Sequence, residues 1–498
     1  MNRFMEVVPL ALTPLTPIHI GCGEDFEPTN YVIDGGVLYQ FEPTRLSLTS
    51  ADRRRLIECV NERADDAIRA VQRFFHAKRN ECRQASRLAV PVASGVAEWY
   101  ERRIGQVAQR EARGRTVSNQ LEIERTAYHR YTGKPYLPGS SLKGSMRTGW
   151  LNDLDKGPPI RRDPSQRPTE RSADLEDTLL PGSFATDPFR LVNVADSTGT
   201  DLLSRVVFAV DRRKHPRPDR REKDLFVRRE AISGGQLHGL QGEVRFKSLP
   251  ASAKPTDVPR ADRRIGDFGS LARACNGFYL QRLNADLATL RALCTDPWLD
   301  GFAELIASLQ SAFDEGRAMI LRVGRHSGAE SVTLERHRSI LIRGGRERGN
   351  SWQRNATTIW LAVEHEHSVN ELRPFGWLLV ERVDDPLGND RLERWCEAEA
   401  KAFAEAAAPV PPATPHAPET QAGSEAVWRQ ARLQYNRQNG TLTAIGPGNA
   451  RANALDPRGD ELLSHLPEEI QQKVRTNQFV RVVARVRGAD LIDVGAMS

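Results

Sequence analysis

Tyr136-Leu137-Pro138-Gly139-Ser140-Ser141-Leu142-Lys143-Gly144-Ser145-Met146-Arg147 reads as a turn feeding a helix, and the rest of the sequence is best read outward from it. Pro138-Gly139 makes the turn. Ser140 and Ser141 stand where a helix begins, able to accept hydrogen bonds from its first free N–H groups. Lys143 and Arg147 follow at i, i+4, on one face near the positive end of the helix dipole. Cations there oppose the dipole unless an anion lies between them. Free amides, hydroxyls and two cations suit a phosphate, and Gly139 lets the backbone approach it closely. A Walker loop is excluded, because the order here is Lys143-Gly144-Ser145 and not Gly-Lys-Ser/Thr. An ordinary capped helix accounts for the same residues equally well.

Residues Pro138 to Arg147 also resemble a signature of the RAMP superfamily, the RNA-binding proteins of CRISPR systems. Thr13-Pro14-Leu15-Thr16-Pro17-Ile18-His19-Ile20-Gly21-Cys22-Gly23-Glu24 is similar to the first strand and glycine turn of RAMP subunits in type III effector complexes. Asp187-Pro188-Phe189-Arg190-Leu191-Val192-Asn193-Val194-Ala195-Asp196-Ser197 resembles a strand of the same subfamily, and Leu372-Arg373-Pro374-Phe375-Gly376-Trp377 its closing strand. The segments stand in the expected order between residues 10 and 382 and leave the C-terminal portion uncovered. Length and the first motif are most similar to the family of fifth subunits of the type III-A Csm complex.

That resemblance implies a non-catalytic RNA-binding subunit that caps the 3′ side of the guide RNA and supports its maturation in antiviral defence. It implies guide RNA, other RAMP subunits, target RNA and host maturation nucleases as partners, and no cofactor or metal. It also implies an α+β fold of tandem ferredoxin-like (RRM-type) modules. The RNA contacts would fall on His19, Gly21 and Gly23; on Gly139, Ser140, Ser141, Lys143 and Arg147; and on Gly324, Arg325 and Gly328 of the late glycine-rich loop. A RAMP endoribonuclease that processes CRISPR RNA, a different terminal RAMP subunit, and a protein scaffold without RNA contact are the alternatives.

The bulk numbers bound these readings. A chain of 498 residues predicts two or three domains, and 39% hydrophobic residues allow sizeable cores. No apolar run reaches the length of a membrane span, and Met1-Asn2-Arg3-Phe4-Met5-Glu6 lacks the apolar core of a secretory signal. The six cysteines are scattered without a Cys-x-x-Cys pair, which argues against a zinc ribbon or a disulfide framework and for the cytoplasm. A net charge of +6 is mild for this length. Arginine far outnumbers lysine, which suits phosphate forks and base stacking but also follows from genome composition.

Along the chain, residues 7–48 alternate as strands, with Gly35-Gly36 as a hairpin turn. Residues 51–113 switch to helical periodicity and read as an insertion in a first module, 1–224. The prolines of 156–180 predict a long mobile loop, and 211–224 is the most basic loop. A second module is expected over 225–385, with Arg343-Gly344-Gly345-Arg346 as a basic tip. A helix and a Pro/Ala-rich linker follow over 386–425, then a small β-rich C-terminal domain over 426–498. There the Asn439-Gly440 turn signals a hairpin, a helix is expected over 459–474, and Arg481, Arg485 and Arg487 share one strand face.

Chemistry is sparsely signalled. His19 adjoins the glycine turn and is the best general acid/base candidate, although a histidine so placed is more often structural. Asp25 and Asp155 fall in loops suited to a cleaving carboxylate, and nothing separates them from surface acids. His365-Glu366-His367 has a spacing that can bind metal, with no third ligand indicated.

Overall fold

The structure is a computed structural model that describes residues 4–62, 64–110, 116–118, 121–159, 167–199, 201–215, 225–250, 252–343, 349–407, 426–436, 441–446, 450–454, 458–476, 478, 480–487 and 490–496. Most of the basic loop before residue 225, the 344–348 tip, the Pro/Ala stretch and the Asn439-Gly440 turn lie outside the described residues. The chain divides into two compact units, Met1–Val410 and Pro411–Ser498.

In the first unit, β1 (Met5–Pro14) buries Val8, Leu10 and Leu12 and turns into β2 (Gly21–Phe26). β3 (Tyr31–Asp34) and β4 (Val37–Phe41) form a hairpin, with Gly35 and Gly36 at positive φ as a two-residue turn demands. The insertion supplies α1 (Ser50–Val60), α2 (Ala64–Ala77), α3 (Arg79–Gln84) and α4 (Ser94–Arg103). It is not wholly helical: β5 (Ser86–Pro91) inserts Val90 into the core and pairs with β4. β6 (Val107–Arg110) and β7 (Thr116–Ser118) form a ribbon, and β8 (Ile123–Thr126) precedes α5 (Gly139–Leu154).

The mobile loop expected over 156–180 is in part a helix, α6 (Pro168–Leu179). Pro168 occupies the first helical turn, where a missing N–H costs nothing, and Glu170 accepts the Arg167 N–H at 2.9 Å. Next come β9 (Val192–Val194), β10 (Ser204–Arg213), β11 (Leu225–Ile232) and β12 (Leu240–Lys247). Three helices follow, α7 (Phe268–Leu293), α8 (Pro297–Ser308) and α9 (Gln310–Glu315). The unit ends with β13 (Ala318–Arg322), β14 (Ile340–Ile342), β15 (Ser351–Gln353), β16 (Thr358–Val363), β17 (Arg373–Pro374), β18 (Trp377–Arg382) and α10 (Asp390–Ala407).

Two sheets organise this α+β unit, ordered β13-β18-β1-β12-β9 and β17-β16-β10-β11-β8-β2. Both draw strands from either side of residue 225. β10 and β11 are antiparallel partners from Ser204↔Ile232 to Asp211↔Leu225, so the boundary expected there lies at the end of a hairpin, not between modules. The main core takes Phe208, Phe278, Tyr279, Phe302 and Trp377. The opposite face of the six-stranded sheet carries a smaller cluster of Val207, Ala209, Ala231, Ala362 and Phe375, and polar side chains gather beside it.

The second unit closes β19 (Ala426–Asn436), β20 (Thr441–Ile445), β21 (Arg451–Ala454), β22 (Arg481–Arg487) and β23 (Asp490–Ala496) into a barrel. The single helix expected over 459–474 is two, α11 (Arg458–Ser464) and α12 (Glu468–Arg475). Pro467 caps the second and cannot continue the first.

Candidate nucleic-acid interface

The turn between β1 and β2 and the loop after β13 are 300 residues apart in sequence and meet in space. Arg325 N–H donates to the His19 carbonyl at 2.8 Å. Gly324 sits at φ +82°, and a Cβ there would lie 2.4 Å from that same carbonyl oxygen. Only glycine satisfies both conditions. Gly376 N–H, donating to Pro17 O at 2.9 Å, ties the closing strand to the same turn. His19, Gly21, Gly324 and Arg325 are therefore parts of one place, with Gly23 on the same turn, whereas Gly328 lines a cleft with Arg322 and Glu330.

Its charges are mostly paired inside the protein. Glu124 on β8 lies between Arg229 on β11, at 3.0 Å, and Arg325, at 2.6 Å. Arg229 is buried and its guanidinium is pushed down to about 10 by burial, against the pull of Glu124. Arg325 is 56% exposed, so it is the cation this cluster offers to solvent. Gly21 and Gly23 are exposed as well, and a Cβ on Gly23 would meet nothing within 4 Å. Backbone there is open to a large ligand.

His19, expected among the RNA contacts, is sealed inside the protein. Its side chain is 0% exposed, and Nδ1 lies 2.7 Å from the Glu230 carbonyl, which fixes that nitrogen as the donor. Burial, with the Arg229 and Arg325 charges adding to it, holds the imidazole down to about 4 against the backbone bond. His326 is likewise held to about 3 by burial and the same arginines, and its ring lies tilted against that of Trp360, 4.4 Å away. Both imidazoles are neutral at pH 7 and shape the loops from within. Beneath the glycine turn, Arg125 and Glu230 form a buried pair at 3.7 Å. Glu230 also accepts from Thr126 N–H at 3.2 Å and Ser204 Oγ at 3.0 Å, while burial raises its carboxyl.

The helix α5 makes a second place, and its start differs from the serine cap expected. Neither Ser140 nor Ser141 caps it; Pro138 holds the N-cap and Asp196 accepts the Gly139 N–H at 2.7 Å. Gly139 is needed for close approach to the chain's own strand, since a Cβ would lie 2.3 Å from Val194 O. Arg147 is engaged by Asp187 at 2.9 Å and Glu176 at 3.3 Å. Lys143 has no carboxylate within 4.0 Å among the described residues. Burial lowers its ammonium, with Asp187 opposing and Arg147 and Lys247 reinforcing.

An open cavity of about 830 Å³ lies beside the glycine turn. It is lined by Cys22 and Glu24 from the glycine turn, by Tyr128, Tyr131 and Tyr136, and by Asp196, the residue that holds the start of α5. Tyr131 is 95% exposed, and His129 stands 5.7 Å from it, ring to ring. Tyr128 is clasped by the Arg125 guanidinium 3.6 Å above its ring and donates its hydroxyl to Glu24. The sequence reading passed over this tract, although Tyr128-His129-Arg130-Tyr131 and Tyr136 already show its aromatic and basic density. Nothing local signalled Glu124, Arg229 or Glu230.

The other candidates are placed differently. Asp155 is buried against His337 Nε2 at 3.1 Å, and Asp25 is a half-buried residue of β2. His365 begins a turn after β16, its N–H donating to Ser368 Oγ. Two further clefts, of about 570 and 330 Å³, share Lys214, Asp286, Arg322 and Glu330 and reach His326 and Trp360. No helix among the described residues is long and apolar enough to cross a membrane.

The family profile of the RAMP superfamily matches residues 11–285. No curated protein matches the chain. Among solved structures, a chain from a cryo-EM structure of a Csm–crRNA–target RNA ternary complex of a type III-A CRISPR-Cas system is 16% identical, with a TM-score of 0.44, covering 76% of this chain and 100% of its own. Csm5 of T. onnurineus, from a crystal structure, is 16% identical with a TM-score of 0.42, covering 74% of this chain and 99% of its own.

Proposed function

The chain belongs to the RAMP superfamily, and from that premise we propose that it is a non-catalytic, RNA-binding subunit of a type III-A CRISPR effector complex that caps the 3′ side of the guide RNA and supports its maturation. The observation that carries this reading is the tyrosine-lined cavity that adjoins the open glycine turn and reaches Asp196, the residue that accepts the first N–H of α5. Exposed backbone at Gly21 and Gly23 and the Arg325 cation suit sugar and phosphate, and Tyr131 offers a face to an unpaired base. Such contacts follow the backbone and stack bases without reading sequence, which suits guides of varied spacer. Burial of His19 supports a binding role over acid–base chemistry, because a sealed imidazole cannot reach a phosphodiester.

The test is to purify the tagged protein from its native host, then sequence the RNA and identify the proteins that accompany it. Guides that share a 5′ tag and vary at the 3′ end, together with other RAMP subunits, are expected. Recovery of the protein alone without guide RNA overturns the end-cap reading. Metal-independent cleavage of a repeat-containing RNA by the purified protein overturns the non-catalytic one.

A further inference from the structure

One wall of the cavity beside the glycine turn is a short hairpin. Tyr128 and Pro135 bridge its arms, His129 N–H donates to the Lys134 carbonyl at 2.8 Å, and Gly133 takes φ +70° at the turn. This frame holds the aromatic side chains that line the cavity. Tyr131 is 95% exposed, Tyr136 lies on the returning arm, and the Arg125 guanidinium steadies Tyr128 from 3.6 Å above its ring. A volume of about 830 Å³ falls among those of small-ligand sites, about 300–1,000 Å³. Tyrosine rings in such a space suit a flat ring system of any identity.

The charged side chains that line the cavity balance, Glu24 and Asp196 against Arg130 and Lys134, and neither Lys143 nor Arg325 is among the lining residues. Arg130 is paired with Glu24 at 3.0 Å, and Lys134 stands 4.0 Å from Asp201. The cavity therefore has no surplus of positive charge for a terminal phosphate. Its two carboxylates differ. Glu24 accepts from the Tyr128 hydroxyl with one oxygen and from Arg130 with the other. Asp196 is exposed; its Oδ1 accepts the Gly139 N–H at 2.7 Å, and its Oδ2 has no partner among the described residues. Thr198, exposed two residues further on, adds a hydroxyl to the lining. A free carboxylate oxygen beside aromatic rings calls for a neutral ligand with a flat ring and hydroxyl donors. The last nucleoside of an RNA has both, and a carboxylate is what ribose hydroxyls meet in dinucleotide sites. The vicinal diol is also common to RNA 3′ ends of every sequence.

We propose that this cavity seats the 3′-terminal nucleoside of the guide RNA, its base against the tyrosines and its free 2′,3′-diol on Asp196 Oδ2, so that the subunit selects ends carrying hydroxyls over ends carrying phosphate. The inference rests on the end-cap reading and adds the chemical form of the end that is capped. Exposed Arg130 and the open backbone at Gly21 and Gly23 are left for the internucleotide phosphates. A 3′-phosphate would instead set a second anion against Asp196, where like charges oppose each other.

The test follows fluorescence anisotropy of the full chain with a 5′-labelled single-stranded RNA of roughly 12 nucleotides, made with a 3′-hydroxyl, a 3′-phosphate or a 2′,3′-dideoxy end. The phosphate end is expected to bind at least roughly tenfold more weakly than the hydroxyl end, and the dideoxy end about fivefold more weakly. Asp196→Asn keeps a carbonyl for the Gly139 N–H and loses the charge, so it should bring the phosphate and hydroxyl ends to within about twofold of each other. The comparison of ends on the unaltered chain stands whatever the stability of the variant. Equal binding of hydroxyl and phosphate ends overturns this inference and leaves the end-cap reading in place, whereas binding of none of the three overturns both. A preference for hydroxyl that persists undiminished in Asp196→Asn overturns the seating of the diol on Asp196.

Discussion

Around the loop after β13, Arg229 and Arg325 both grip Glu124, at 3.0 and 2.6 Å, whereas β19 and β22 of the barrel carry arginines at 429, 432, 481, 485 and 487 with no acid among them. Both regions are arginine-rich and use it in opposite ways. In the first unit cations are bound into the structure: Arg125 with Glu230, Arg322 with Asp286, Arg147 with Asp187. What remains for a ligand there is open backbone, Lys143, the exposed Arg325 and Arg130, and aromatic surface. In the barrel no charged side chain is buried among the described residues. A count of basic residues therefore says little about binding; what matters is whether each cation is locked in a buried pair or stands at the surface.

The sharpest way to break that comparison is to remove one acid. Asp286 accepts from Arg322 at 2.7 Å and from the Trp377 indole at 3.3 Å, all of it buried. Asp286→Ala should cost about 3–5 kcal/mol in urea denaturation by leaving a buried charge unpaired. Arg485→Ala, on the barrel surface, should stay within about 0.5 kcal/mol. Equal losses would mean that the two arginine populations are not different in kind.

Acid probes the same cluster. His19 is held at about 4 and His326 at about 3, both below the ordinary histidine value of 6.5. Between pH 6.5 and 4 the unfolded chain takes up protons that the native state refuses, so stability is full above pH 6.5 and is lost as pH falls through the folded values. His19 alone should account for about 3 kcal/mol of that loss, read as a falling denaturation midpoint that flattens in His19→Gln. A midpoint indifferent to pH in this window would show that the imidazoles are not sealed.

Backbone geometry separates the regions next. Gly324→Ala forces a Cβ against the His19 carbonyl at positive φ and should destabilise by about 2 kcal/mol. Gly495→Ala in β23, where a Cβ meets nothing within 4 Å, should stay within about 1 kcal/mol and lean towards stabilising. The smallest effect belongs to Tyr131→Ala, which should leave folding untouched and weaken guide RNA binding by about 1 kcal/mol, roughly five-fold in Kd. Unchanged binding would remove the tyrosine-lined cavity from the RNA path.

Legibility followed the range of the interactions. The β3–β4 hairpin was readable because Gly35-Gly36 sits between alternating strands, and α5 because a Pro-Gly turn precedes a helical run. Pro168 misled: in a charged, proline-rich stretch it read as a loop breaker, although proline in the first turn starts α6. Lys143 and Arg147 were rightly placed on one helix, but their neighbours were not visible. Asp187 lies 40 residues from Arg147 and Asp196 lies 57 from Gly139, and the acid that meets each is set by packing. The same holds for His19, whose partner carbonyl is 211 residues away.

Sequence alone determined the local facts: which segments alternate and which run at helical period, where glycine frees a turn, which strand faces carry arginine, and the motifs that mark the RAMP superfamily. Those depend on residues within a few positions of one another, where backbone sterics and side-chain period decide. Tertiary structure decided which charges are neutralised, that both sheets of the first unit draw strands from either side of residue 225, and that the five strands of the second unit close into a barrel. These rest on contacts tens to hundreds of residues apart, and an ion pair or a strand register exists only once the fold has brought its two halves together.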